Sequence, residues 1–241
     1  MKILLFWLWN QWVKYVKNFN NDVFCVTKSG INKTWIEVKN IISYSNFIDN
    51  YYSFDFLNNF DLIIICVDKS SLDNLINKLC FLNLHPKILI DKPVSYDLDL
   101  LEKLKNYNNI YYFIDEIFFN KLYNKIFNSS YVKIISIKNI DVLEHVFWWF
   151  LLNNNFDLIL KNINIIYEDE KNRDAFNLNF KIVNKNYILY YNNWIIFLNW
   201  KKINHFSSFE KVIDIILNFD VNDNIRYKNN FILMRQKLNN L

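Results

Sequence analysis

Short unbroken apolar runs alternate with stretches in which apolar residues return every three or four positions, and this alternation organises the first half of the chain. Residues 2–6, 22–26, 61–67, 87–90 and 110–114 read as strands, and residues 11–17, 71–82 and 95–105 as helices between them. A strand whose side chains are all apolar has to be covered on both faces, which is the condition of a parallel sheet flanked by helices. The expected architecture is therefore α/β, with a doubly wound parallel sheet of the Rossmann type over residues 1–116 that is left by a helix at 118–127. Beyond it the pattern changes. Residues 131–138 read as a strand, 141–152 as a helix, 158–198 mainly as strands in antiparallel pairing, and 209–219 and 227–238 as closing helices. This predicts a reduced C-terminal α+β domain over 117–241.

Composition alters the picture through one imbalance: the 241 residues include 8 Trp and 1 Gly. Average usage of about 7% would give roughly 17 glycines. Ala175 is the only alanine, Pro86 and Pro93 are the only prolines, and Asn, Lys, Ile, Phe and Tyr abound, the mark of a very AT-rich gene. In such a gene GGN codons are scarce and UGA is common, and some bacterial codes read UGA as glycine where another translation table reads it as tryptophan. The expectation is that the tryptophans written here are largely glycines in the native chain. Asn193-Trp194 and Asn199-Trp200 would then each become Asn-Gly, the strongest short-range hairpin signal. Trp7, Trp9 and Trp12 follow the first strand at the spacing W-x-W-x-x-W, which is that of the dinucleotide fingerprint G-x-G-x-x-G. Glycine is needed there for the tight turn, for backbone approach to a pyrophosphate, and for close packing of helix on strand.

Hydrophobic residues make up 52% of the chain, ample for a core and too many for a disordered protein. The net charge of +4 is spread as isolated lysines with no basic run among aromatics, so no nucleic-acid footprint is expected and small molecules are the expected partners. Cys25, Cys66 and Cys80 lie within apolar patterns without a C-x-x-C, which points to reduced cytoplasmic thiols rather than a disulfide framework or a zinc site. No stretch is long enough to span a membrane, and the apolar start is short for a secretory leader and lacks a small-residue cleavage site.

With glycine restored at 7, 9 and 12, and with Leu89-Ile90-Asp91-Lys92-Pro93 ending a strand, the chain resembles the Gfo/Idh/MocA family of NAD(P)-dependent oxidoreductases over its whole length in outline. Asp91-Lys92-Pro93 matches that family's Glu-Lys-Pro, with aspartate for glutamate. The resemblance implies hydride transfer between NAD(P) and a hydroxyl or carbonyl of a small, sugar-like substrate, with Lys92 reaching both nicotinamide ribose and substrate. Trp7, Trp9, Asn10, Gln11, Trp12, Lys28, Asp91 and Pro93 would surround the cofactor, with pyrophosphate on the amides near Asn10 and Gln11. It also implies a homo-oligomer formed through the C-terminal sheet.

The family's catalytic Asp-x-x-x-His is matched by Asp141-Val142-Leu143-Glu144-His145, a spacing that puts both side chains on one helical face. Histidine suits proton transfer near neutrality, and an aspartate beside it orients the ring. A rival register reads Trp148-Trp149 as the glycine pair before that motif and places Asn153 and Asp157 at the two positions, so the base is lost. The first register is preferred because a full helix has to fit between the histidine and the strand leading to residues 174–176. At the end of the second strand the chain reads Thr27-Lys28-Ser29-Gly30, with no acid for ribose hydroxyls, which tilts the expectation towards NADP. Two other readings stand beside the oxidoreductase: a catalytically inactive nucleotide-binding relative serving as sensor or scaffold, and a dihydrodipicolinate reductase-like enzyme, whose paired histidines and substrate motif are missing.

Overall fold

The structure is a computed structural model that describes residues 1–7, 23–31, 38, 40–80, 82–91, 94–113, 133–136, 144, 147, 148, 150, 151, 156–167, 179–183, 188–192, 195–198, 201–203, 214 and 216–240. The chain divides into two compact units, one of residues 1–114 with 209–225 and one of residues 115–208 with 226–241.

The first unit holds six parallel strands: β1 (Ile3–Trp7), β2 (Val23–Thr27), β3 (Asn40–Ser43), β4 (Leu62–Cys66), β5 (Lys87–Asp91) and β6 (Ile110–Phe113). Their order is β3-β2-β1-β4-β5-β6, the doubly wound Rossmann order. All of β4 is buried, as the unbroken run Leu-Ile-Ile-Ile-Cys requires of a central strand covered on both faces. Among the described residues of 1–114 the helices are α1 (Tyr44–Asn50), α2 (Phe54–Leu57), α3 (Lys69–Leu79) and α4 (Leu98–Leu104). Helix α3 buries Leu72, Leu75, Ile76 and Leu79, the i, i+3, i+4, i+7 stripe of an amphipathic helix. Its N-cap is Asp68, which accepts from the Ser71 amide at 3.1 Å and so satisfies one orphan donor of the first turn. Asp97 does the same for α4, accepting from the amides of Asp99 and Leu100.

β3, α1 and α2 escape the sequence reading. Asn40-Ile-Ile-Ser is a four-residue edge strand, and the following helix is rich in polar residues. An aromatic cluster secures them: Phe47 meets Phe6 edge-on at 5.0 Å, and Phe56 meets Phe24 at 5.5 Å and Phe60 at 5.2 Å.

The second unit is built on the strands β7 (Lys133–Ser136), β8 (Asn164–Tyr167), β9 (Asn179–Val183), β10 (Ile188–Asn192), β11 (Ile195–Leu198) and β12 (Lys201–Ile203). Their order in the sheet is β12-β11-β10-β9-β7-β8. The antiparallel expectation is corrected at one pair, because β7 and β8 run parallel, joined through helix α5 (Phe156–Asn162). That helix takes residues 158–162 from the start of the stretch 158–198, which among its described residues is otherwise mainly strand, as expected. Its apolar residues pass for a strand, yet Phe156, Ile159 and Leu160 are buried while Asp157 and Leu158 are exposed, which is helical spacing. The pairs Asn192↔Ile195 and Leu198↔Lys201 leave two residues to connect each of the hairpins β10–β11 and β11–β12, and those residues are the two Asn-Trp dipeptides. Helix α6 (Val221–Asn239) replaces the expected 227–238 helix with a longer one, its first turn closed by the Asp223 amide donating to Asp220 Oδ1 at 2.7 Å.

Candidate functional site

In a parallel sheet every strand ends on the same edge, and ligands bind outside those carboxyl ends where the strand order reverses. Here the last residues of the strands, taken in sheet order, are Ser43, Thr27, Trp7, Cys66, Asp91 and Phe113. The strand registers place them in one row: Thr27 pairs with Ser43, Trp7 with Cys66 and Asp91 with Phe113. The order reverses between β1 and β4, and a cavity of about 300 Å³ opens there. Phe6, Val26, Val67 and Leu75 give it an apolar lining, with Tyr44, Thr27, Lys28, Asp68, Ser70, Ser71 and Asn74 as its polar members.

Local sequence explains each wall. Thr27 ends β2 buried, and its Oγ1 accepts from the Gly30 amide, turning the chain back so that exposed Lys28 stands at the cavity. The only glycine of the chain stands where one is required: Gly30 has φ +71°, and a Cβ there would lie 2.9 Å from the Ser43 nitrogen. Across the cavity Asp68 Oδ1 accepts from the Ser70 hydroxyl and the Ser71 amide. The Ser70 hydrogen bond, above all, holds the Asp68 carboxyl below its usual range.

The second part of the edge lies at β5, three strand positions from β2, or about 14 Å at the usual spacing. Asp91 is only 5% exposed, and its Oδ2 accepts from the Cys66 thiol at 3.1 Å. Beyond the Lys92-Pro93 step, Val94 and Ser95 are buried, and the Ser95 hydroxyl donates to Asp73 on α3 at 2.8 Å. Asp91 is thus tied to the sheet and Ser95 to a helix. Elsewhere in the sheet Cys25 is buried, which pushes its thiol up to about 12.

Of the residues singled out from the sequence, Trp7, Lys28 and Asp91 are on this edge, Trp7 as the last residue of β1. Trp9, Asn10, Gln11, Trp12, Lys92, Pro93, Asp141 and His145 lie outside the described residues, as does Asn153. Glu144, within the Asp141–His145 motif, is buried and meets the Arg235 guanidinium through two hydrogen bonds of 2.8 and 2.6 Å. Arg235 also lies over the Phe231 ring at 5.1 Å. Asp157 is exposed in the first turn of α5 and pairs with Lys161 at 2.6 Å. The ground for preferring the first register does not hold, since α5 shows that a helix also fits after residue 153, ahead of β8 at Asn164. Tyr44, Asp68, Ser70, Ser71 and Asn74 were missed; the cap spacing Asp68-x-x-Ser71 after an apolar strand was the available signal.

Among the described residues no group of His, Cys, Asp and Glu could hold a metal ion, and no helix is long and apolar enough to cross a membrane. No family model matches the chain, and no curated protein matches it either. Solved structures do match. A Gfo/Idh/MocA family oxidoreductase from Vibrio cholerae superposes with a TM-score of 0.60 at 8% identity, covering 98% of this chain and 96% of that one. The UDP-N-acetylglucosamine 3-dehydrogenase of Acidithiobacillus ferrooxidans gives 0.54 at 10% identity, over 98% and 97% of the two chains. Biliverdin reductase from Synechocystis, solved with biliverdin and NADP+, gives 0.53 at 10% identity, over 98% of each chain. At such identities the likeness is one of fold: a Rossmann sheet followed by an α+β unit, shared from end to end.

Proposed function

We propose that this protein is an NAD(P)-dependent oxidoreductase of the Gfo/Idh/MocA kind, acting on a hydroxyl or carbonyl of a small, sugar-like substrate. The observation that carries the reading is the carboxyl edge of the first sheet, with a cavity at the reversal of strand order and with Asp91 buried at the end of β5. The cavity fits the adenosine end of a dinucleotide in kind: concave, largely apolar and rimmed by a few polar groups. The nicotinamide, when bound, supplies or takes up the hydride. Lys92 is proposed to hold the reacting oxygen in place, His145 to move its proton and Asp141 to orient His145. Asn153 and Asp157 remain the competing pair.

The reading includes glycine at 7, 9 and 12 in the native chain, where the amides near Asn10 and Gln11 would take the pyrophosphate. The two-residue hairpin links at Asn193-Trp194 and Asn199-Trp200 support it, because such links favour Asn-Gly and disfavour a bulky second residue. Mass spectrometry of the peptide spanning residues 3–14 from the source organism is expected to find glycine at all three positions; tryptophan there would sink this part of the proposal. For the function itself, Lys92→Ala is expected to abolish most turnover and leave dinucleotide binding nearly intact. Unchanged turnover would remove Lys92 from the mechanism.

A further inference from the structure

Rossmann units that take NAD place an acid at the end of the second strand, about 20 residues beyond the glycine loop, where it accepts from the ribose hydroxyls. This chain has Lys28 there, and by sequence alone that favours the phosphorylated cofactor. Folding brings an acid to the same cavity from another strand. Asp68 follows β4, and it lines the cavity together with Thr27 and Lys28. Its Oδ1 accepts from the Ser70 hydroxyl and the Ser71 amide, which fixes the carboxylate at the cavity.

The two opposite charges are not equivalent. Lys28 is exposed, on a long flexible stem that swings into water at little cost. Asp68 is held by the cap of α3 and cannot turn away without uncapping the helix. A fixed carboxylate repels a dianionic phosphate, whereas a vicinal diol donates to it. The Asp68 carboxylate also sits at the N-terminus of α3, accepting from the Ser71 amide, and sets a negative charge where a ligand phosphate would otherwise approach. Tyr44 and the apolar lining accept a base without regard to charge.

We infer that Asp68 sets cofactor choice: the cavity takes an adenosine whose 2′-hydroxyl is free and rejects one that carries a 2′-phosphate, so the dinucleotide used is NAD rather than NADP. The inference rests on the reading of the first unit as a dinucleotide-binding unit.

The test uses the full chain, with AMP and adenosine 2′,5′-bisphosphate as probes in isothermal titration. Neither needs the pyrophosphate loop, and neither carries a nicotinamide. The parent is expected to bind AMP at least about tenfold more tightly than the bisphosphate, the size of one unscreened charge contact at the surface. Asp68→Asn keeps an N-cap of equal quality, which an unchanged melting temperature checks, and it is expected to close most of that gap by strengthening bisphosphate binding. Equal or tighter bisphosphate binding by the parent overturns the inference, as does a gap that Asp68→Asn leaves untouched. Failure of both probes to bind overturns it together with the dinucleotide reading. Binding of both without discrimination overturns the inference alone.

Discussion

All six strands of the first sheet point the same way, whereas the second sheet turns back on itself at every neighbour but β7–β8. The first arrangement gathers six strand ends on one edge, and with them Thr27, Trp7, Cys66 and Asp91. Such an edge is a place for loops and ligands, and it demands strands apolar on both faces. The second arrangement alternates strand ends, so what it offers is a face rather than an edge. The units also differ in how they handle buried charge. Asp91 is buried at a strand end facing a thiol, while Glu144 and Arg235, with side chains 6% and 3% exposed, form an ion pair inside the second unit.

The largest expected effect asks whether the second unit supplies chemistry at all. If His145 moves the proton, His145→Asn lowers turnover by roughly 10² to 10⁴, and the pH profile loses an ionisation near the histidine range. Asp157→Asn then leaves turnover nearly unchanged and removes only an exposed helical pair worth about 0.3–0.5 kcal/mol. The opposite outcome, with Asp157→Asn silencing and His145→Asn benign, would establish the rival register.

Stability comes next in size. Ile64→Ala in fully buried β4 is expected to cost about 2–5 kcal/mol by chemical denaturation. Glu144→Gln should cost a comparable 3–5 kcal/mol or so, because it leaves Arg235 buried opposite a neutral group. The contrast lies in the rescue. Glu144→Leu combined with Arg235→Leu is expected to be more stable than Glu144→Gln alone, and a double variant no better than the single one would show that the pair itself stabilises the unit.

The smallest effect is at the edge. Asp68→Ala should cost about 1 kcal/mol through loss of the α3 cap. Because the Ser70 hydroxyl holds that carboxyl below its usual range, the advantage of the parent is full above the ordinary carboxylate pKa of about 3.9 and fades as pH falls through the lower folded value. Thermal melts of parent and variant should therefore differ at neutral pH and converge in strong acid; a constant difference would exclude the ionised cap.

What was legible in the sequence follows from the same contrast. The runs at 61–67 and 87–90 announced β4 and β5, because burial on both faces leaves a strand no polar residue to disguise it. The Asp91-Lys92-Pro93 step was placed at a strand end for that reason. Asn40–Ser43 was invisible because an edge strand of four residues needs little apolar content, and Phe156–Asn162 was misread because seven residues are too few to separate a helical period from a strand's. Asp68 is not legible as a cavity residue because it lies far along the chain from β1 and β2, on the loop after β4 that lines the cavity. Nothing local in a sequence reports which strand becomes the neighbour of which.

The first unit takes its last segment, residues 209–225, from far along the chain. Asn224 donates to the carbonyls of Asn108 and Ile110, and Lys87 to that of Leu217, so the starts of β6 and β5 are finished by residues made much later. At synthesis rates of about 5–20 residues per second, roughly 5–20 s separate the last strand of the sheet from the segment that completes it. On the ribosome the nascent sheet waits through that interval with part of its margin open, and a stalled or shortened transcript leaves it so.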